Sequence, residues 1–231
     1  MIEVIGHRGA AGIEPENTLR SMKKAIDLGV DRIEIDVRVT KDKRLVVVHD
    51  ETVDRTTNGQ GYVKELAFDE LRKLDAGKGE KIPTLEEALE LTRGKVMLQI
   101  ELKAMEATDL VVHLIEEMKA EKDVVITSFM QEALERVHEL KPNLKTGFLA
   151  SGPREDVLQK AIAAHCDAVH VSYRNIDPKL IEEARNKGLR IAATNPDNKE
   201  DMDRMIEMGI DIIGSNRPDI LIDLLKSKGL R

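Results

Sequence analysis

Tryptophan is missing from the 231 residues, aromatic residues make up only 2% of them, and a single cysteine, Cys166, stands alone. One cysteine forms no internal disulfide, so nothing here calls for an oxidising compartment. No apolar run reaches the roughly 20 residues that a bilayer-spanning helix needs. The opening Glu3-Val4-Ile5 lacks the basic region and apolar core of a secretion signal. These absences predict a cytoplasmic protein without stable membrane insertion. Positive charge is also in short supply: 36 Lys and Arg face 43 Asp and Glu, a net charge of −7. A nucleic-acid partner held through phosphates is therefore disfavoured. No Gly-x-Gly-x-x-Gly follows an apolar run, and Gly77-Lys78-Gly79 lacks the spacing of a phosphate loop, which removes most support for a nucleotide-binding sheet. The wealth of Lys and Glu beside the missing Trp is compatible with a heat-adapted source.

What is present is a repeated unit. Short apolar runs at 3–6, 32–36, 96–101, 124–128, 145–149, 168–171, 190–194 and 211–214 read as strands, and a helix-like stretch follows each. Helix, Gly, then strand recurs at Gly29-Val30-Asp31, Gly188-Leu189-Arg190 and Gly209-Ile210-Asp211. Thr84-Leu85-Glu86-Glu87 is a capping box before a helix. Eight such units predict an α/β TIM (β/α)8 barrel spanning 1–231 as one domain. A hairpin and an irregular insertion at 38–83 lie between the second strand and the second helix. An insertion of this length is usually functional. Association into a homo-oligomer is left open.

The stretch from Arg32 to Asp50 concentrates chemistry. Two β-branched runs flank the polar tetrad Lys41-Asp42-Lys43-Arg44, as in a hairpin. If Thr40 faces Leu45, pairing partners sum to 85 and His49 lands opposite Asp36. Glu34 and Asp36 are two apart on a strand, so both carboxylates leave one face. Ile33, Ile35 and Val37 suggest burial of both faces, where paired carboxylates call for a cation between them.

Working groups of such a barrel gather at the C-terminal ends of its strands. Those ends carry His7 and Arg8, Glu34 and Asp36, Glu101 and Lys103, Phe129, and Asn195. Three carboxylates on neighbouring strands, with no Cys or His cluster, make a hard oxygen site suited to one divalent cation, Mg2+ or Ca2+, rather than zinc. With the cation the carboxylates total −1. Arg8 and Lys103 turn this into +1, which suits a small phosphodiester of charge −1.

His7-Arg8-Gly9, Pro15-Glu16-Asn17-Thr18, Glu34-Ile35-Asp36, His49-Asp50, Arg55-Thr56-Thr57-Asn58-Gly59, Glu101-Leu102-Lys103 and Thr127-Ser128-Phe129 together resemble the motif series of the glycerophosphodiester phosphodiesterase family. The resemblance covers nearly the whole chain in order. It implies metal-dependent hydrolysis of glycerophosphodiesters to sn-glycerol 3-phosphate and an alcohol. Glu34, Asp36 and Glu101 then take the metal-ligand positions, and His7 and His49 the general acid and base positions. Arg8 and Lys103 take phosphate-binding positions, and Phe129 one that packs against glycerol. Imidazole suits both proton transfers near neutral pH. One departure stands out. The family commonly carries Trp in a Trp-Thr-Val-Asn run ending the seventh strand, and Ala192-Ala193-Thr194-Asn195 is read as the corresponding segment. An aromatic wall beside the glycerol is thus expected to be missing, which leaves Phe129 as the main apolar contact; sharp discrimination for glycerol would instead point to Tyr62 or Tyr173 as the wall.

Other readings fare worse. A barrel that abstracts a proton beside a carboxylate needs a Lys or His base on later strands, and only His170 is offered there. A zinc amidohydrolase would open on His-x-His, not His7-Arg8. A barrel that binds phosphate esters without turnover would have little use for both histidines. His113, His138 and His165 read as structural residues on helices.

Overall fold

The computed structural model describes residues 2–151 and 154–231. Its strands are β1 (Glu3–Gly6), β2 (Arg32–Val39), β3 (Leu45–Val47), β4 (Met97–Leu102), β5 (Val124–Ser128), β6 (Lys145–Ala150), β7 (Ala168–Ser172), β8 (Arg190–Thr194) and β9 (Ile212–Ser215). Its helices are α1 (Leu19–Leu28), α2 (Phe68–Leu71), α3 (Leu85–Thr92), α4 (Thr108–Glu117), α5 (Gln131–Leu140), α6 (Arg154–Ala163), α7 (Pro178–Asn186), α8 (Lys199–Glu207) and α9 (Pro218–Ser227). All strands but β3 are parallel and form a closed TIM barrel, sealed where β1 pairs with β2 on one edge and with β9 on the other.

Local chemistry sets the element ends. Thr18 Oγ1 accepts from the Ser21 N–H to start α1, and Gly29, at φ 82°, ends it in the left-handed conformation. Thr84 and Glu87 form the expected capping box on α3. The strands are buried on both faces because helices cover the barrel outside. Ile33, Ile35 and Val37 point into that outer layer and are fully buried, while Glu34 and Asp36 alternate into the barrel. The second strand runs to Val39, further than expected, and the insertion contains one short helix, α2, over Phe68–Leu71. The segment between β3 and α3 has its own small apolar cluster of Val46, Val48, Val53, Val63, Leu71, Ala76 and Ile82.

The hairpin register differs from the sequence expectation by one residue. Val37 pairs with Val47, Arg38 with Val46 and Val39 with Leu45, so partners sum to 84 and Asp36 faces Val48. The cause is the turn. Thr40 N–H donates to the Arg44 carbonyl at 3.0 Å, leaving the three-residue loop Lys41-Asp42-Lys43, and Lys43 adopts φ 64°. This is the compact turn with a left-handed last residue, not a four-residue tetrad. His49 therefore does not sit across the ladder from Asp36 but follows β3 in a loop.

Among the described residues, no helix is long and apolar enough to cross a membrane.

Candidate active site

Eight of the residues expected from sequence, His7, Arg8, Glu34, His49, Glu101, Lys103, Phe129 and Asn195, line one cavity of about 220 Å3 at the C-terminal mouth of the barrel. Asp36, fully buried, completes the carboxylate group beside them. One carboxylate oxygen each from Glu34, Asp36 and Glu101 lies within 4.8 Å of the others. The hydrogen-bonded neighbours β2 and β4 bring Asp36 and Glu101 into direct register.

The triad has the character of a cation site. All three residues are buried, and Glu34 Oε1 and Asp36 Oδ1 have no hydrogen-bond partner among the described residues. Burial first, then the charges of Asp36 and Glu101, pushes the Glu34 carboxyl well above its ordinary range. Burial and Asp36 likewise raise Glu101, to about 7, against the pull of Lys103. Lys103 Nζ lies 2.6 Å from Glu101 Oε1 and 3.4 Å from Asp36 Oδ1, and Arg8 Nε lies 3.3 Å from Asp36 Oδ2. Oxygen-only donors with orphaned lone pairs fit a hard divalent cation.

A pH signature follows. A carboxyl raised on folding binds its proton more tightly in the folded state, so its contribution to stability is full below about 4.5 and is lost as pH climbs through about 7 for Glu101. A cation that neutralises the triad cancels this loss. The rise in Tm caused by saturating Mg2+ or Ca2+ is therefore expected to be larger at pH 8 than at pH 5. Equal rises at both pH values would contradict it.

His7 leaves β1 where the chain turns sharply. Arg8 (φ 50°) and Gly9 (φ 86°) are both left-handed, and a Cβ on Gly9 would come within 2.4 Å of Ser21 Oγ. The bend aims the Arg8 N–H at Glu34 Oε2, 2.8 Å away. Strain of this kind commonly marks functional sites. His7 Nδ1 lies 2.7 Å from Asn216 Oδ1, and Asn216 Nδ2 donates to Asp197 Oδ2 at 2.7 Å. That amide orientation makes Nδ1 the protonated nitrogen and leaves Nε2 facing Glu34 Oε2 at 3.8 Å. Burial, with Arg8 adding to it, depresses the His7 imidazole and favours its neutral form.

His49 is held from its other side. Nδ1 lies 2.6 Å from Asp50 Oδ1, which fixes Nε2 as the nitrogen free to work. Arg55 donates to both oxygens of Asp50, at 2.6 and 3.0 Å, and to both oxygens of Glu16 at 2.8 Å. Glu16 in turn accepts from Arg8 Nη1 at 2.7 Å. Hydrogen bonding to Arg55 holds Asp50 far below the usual carboxylate range. Burial raises Glu16, but Arg55 and Arg8 outweigh it and bring it down to about 2. This alternating chain of charges ties the insertion to the barrel mouth. Asn17, at φ 57°, adds a bond from Nδ2 to Asp36 Oδ2 at 2.8 Å.

Phe129 is 52% exposed at the rim. The placing of Ala192 at the cavity wall is corrected: Ala192 is fully buried inside the barrel against Ile5 and Ile212. Thr194, two residues further along the same face, lines the cavity instead. Ala192→Trp would overpack the interior, at a cost of at least about 1–3 kcal/mol, read as a lower Tm. Thr194→Trp is expected to leave Tm nearly unchanged. Tyr173 is buried in the core, and Tyr62 lies on the insertion beside a separate hollow. His113 and His138 sit on α4 and α5. His165 falls beyond α6 at φ 55° and stacks on His138 with centroids 4.1 Å apart.

Sequence reasoning assigned no role to Asn216, Asp197, Glu16, Arg55 or His170. Asn216 directly follows the last strand, so the strand-end rule that found Asn195 would have found it.

The chain resembles proteins of known type along its full length. Residues 7–220 match the model of the glycerophosphoryl diester phosphodiesterase family. A glycerophosphodiester phosphodiesterase of Caldanaerobacter subterraneus subsp. tengcongensis is 40% identical over 98% of each chain. One from Bacillus subtilis is 32% identical over 95% of this chain and 85% of its own. The structure of an Oleispira antarctica phosphodiesterase in complex with the product sn-glycerol-3-phosphate superposes with a TM-score of 0.89 at 27% identity, covering 97% of this chain and 96% of that one.

Proposed function

This chain belongs to the glycerophosphoryl diester phosphodiesterase family and is a phosphodiesterase of that kind, and we propose that it releases sn-glycerol 3-phosphate and an alcohol using one divalent cation and two histidines. The observation that carries the reading is the meeting of two imidazoles, two cations and three buried carboxylates around one cavity.

In this mechanism Arg8 and Lys103 flank the triad and draw the anionic phosphate between the two histidines. Mg2+ or Ca2+ held by Glu34, Asp36 and Glu101 would supply Lewis-acid stabilisation to the non-bridging oxygens. One imidazole Nε2 takes a proton from the attacking oxygen, and the other protonates the departing alcohol. The partners on Nδ1, Asn216 for His7 and Asp50 for His49, keep each ring in the tautomer this needs. Phe129 covers the glycerol carbons at the rim. A cytoplasmic setting, as the lone buried Cys166 suits, completes the reading.

The test is release of glycerol 3-phosphate from glycerophosphocholine and glycerophosphoethanolamine, with and without chelator. Absence of product with metal present would refute the substrate class. Asp50→Asn is a finer probe, since an amide no longer enforces the His49 tautomer. We expect kcat to fall by about tenfold or more, with metal affinity unchanged. An unaltered pH–rate profile and kcat would count against the role given to Asp50.

A further inference from the structure

The face of β2 that carries Glu34 and Asp36 continues to Arg38, two residues nearer the mouth. Asp36 is in register with Glu101 on β4, and the Lys103 N–H donates to the Val37 carbonyl at 3.2 Å. Arg38 and Lys103 are therefore the next neighbours along the two strands. Lys103 borders two spaces. One is the catalytic cavity, and the other is a separate hollow of about 200 Å3 on the side of the insertion. Arg38 lines the second and not the first, together with Glu51, Tyr62 and Lys64 of the insertion and Glu106 of the turn after β4.

The charges around this hollow are uncommitted. Arg38 Nε donates to the His49 carbonyl at 2.9 Å, but neither Nη has a partner among the described residues, and both stay open to solvent. Glu51, Lys64 and Glu106 likewise form no ion pair among the described residues, with Lys64 Nζ lying 5.8 Å from the centre of the Tyr62 ring. Nearby charges behave differently: Arg55 donates to both oxygens of Asp50 and to both of Glu16. Burial lowers the Arg38 guanidinium from its ordinary value although Glu51 and Asp36 pull it up. A half-buried guanidinium with a free fork gains from a carboxylate that a ligand brings.

The lining offers charge of both signs, so it matches a group that carries both. A hydroxy amino acid is such a group when it forms the alcohol side of a diester. Its carboxylate would fork onto Arg38, and its ammonium would lie between Glu51 and Glu106. Ethanolamine and choline bring no anion to Arg38.

We propose that the hollow is the subsite for the alcohol arm of the diester, built for an alcohol that carries both a carboxylate and an ammonium, such as serine, and that Arg38 selects it. This rests on the phosphodiesterase reading above. Lys103 holds the phosphate between the two spaces, so the glycerol arm lies under Phe129 and the other arm crosses Lys103 into the hollow.

The experiment measures release of glycerol 3-phosphate from glycerophosphoserine, from glycerophosphoethanolamine, which lacks the carboxylate, and from the glycerophosphodiester of 3-hydroxypropionate, which lacks the ammonium. In the wild type, kcat/KM for glycerophosphoserine should exceed each of the others by at least about fivefold, the scale of one charge-assisted contact at a half-exposed site. Arg38→Met keeps the stem and removes the fork, and should bring the serine-to-ethanolamine ratio to within about twofold of one. Its loss of the bond to the His49 carbonyl affects all three substrates and cancels in the ratio. Glu51→Gln should narrow the serine-to-hydroxypropionate ratio instead. A wild type that treats serine and ethanolamine diesters alike, or prefers the hydroxypropionate diester, would overturn the subsite without any variant having to fold. So would an Arg38→Met enzyme with an unchanged ratio. Failure of the wild type to release glycerol 3-phosphate from any of the three would instead refute the parent reading.

Discussion

Removing divalent cations is expected to abolish turnover, and Glu34→Gln is expected to lower it by at least about 10²-fold even with metal present, the scale of losing a preorganised electrostatic contact to the transition state. Glutamine keeps the volume of Glu34 and can still accept from the Arg8 N–H, 2.8 Å away in the native protein. It removes a carboxylate that burial and its neighbours Asp36 and Glu101 render costly. The variant should therefore be inactive but more heat-stable than the metal-free wild type. This pairing separates loss of function from loss of fold. Full turnover by demetallated protein in excess EDTA would sink the metal assignment, and a metal-free Glu34→Gln protein with a lower Tm would contradict the electrostatic account.

The second large effect concerns the histidines. His7→Ala and His49→Ala should each lower kcat by at least about 10²-fold, the usual contribution of a positioned acid or base. Neither should unfold the protein, because both rings border the cavity rather than the outer core. If the rings act as a unit, the double variant should lose less than the product of the single losses. Single-turnover rates on glycerophosphocholine provide the check. A His49→Ala enzyme that keeps most of its rate would remove His49 from the mechanism.

The barrel was legible because each α/β unit repeats local signals that need no knowledge of distant chain: an apolar run, a cap such as Thr18 or Thr84, a closing Gly such as Gly29. The carboxylate triad was legible for a similar reason, since spacing two on a strand fixes a shared face. The hairpin register was not, because it depends on whether Lys43 accepts a left-handed conformation, a choice worth little energy in the sequence and decided by the bonds Thr40 makes across the turn. The error carried a consequence. The expected pairing of His49 with Asp36 does not form, and His49 reaches the cavity from the loop after β3, where Asp50 holds the ring. The ion chain through Arg55, Glu16 and Arg8 escaped for another reason. It joins side chains of the loop after β1 to side chains of the insertion after β3, and spacing within one element does not show such a meeting.

Closure also dictates when the enzyme becomes an enzyme. His7 takes its orientation from Asn216, 209 residues later, and β1 has its second edge covered only when β9 arrives. A nascent chain on the ribosome therefore carries nearly all of its candidate catalytic groups for most of its synthesis without being able to set His7 in place. Until β9 emerges, β1 and β8 also present unpaired edges to other chains, the feature that makes slow-closing sheets prone to aggregate. Activity and protection from misassembly should thus appear together, at the last strand, rather than accumulate as the chain lengthens.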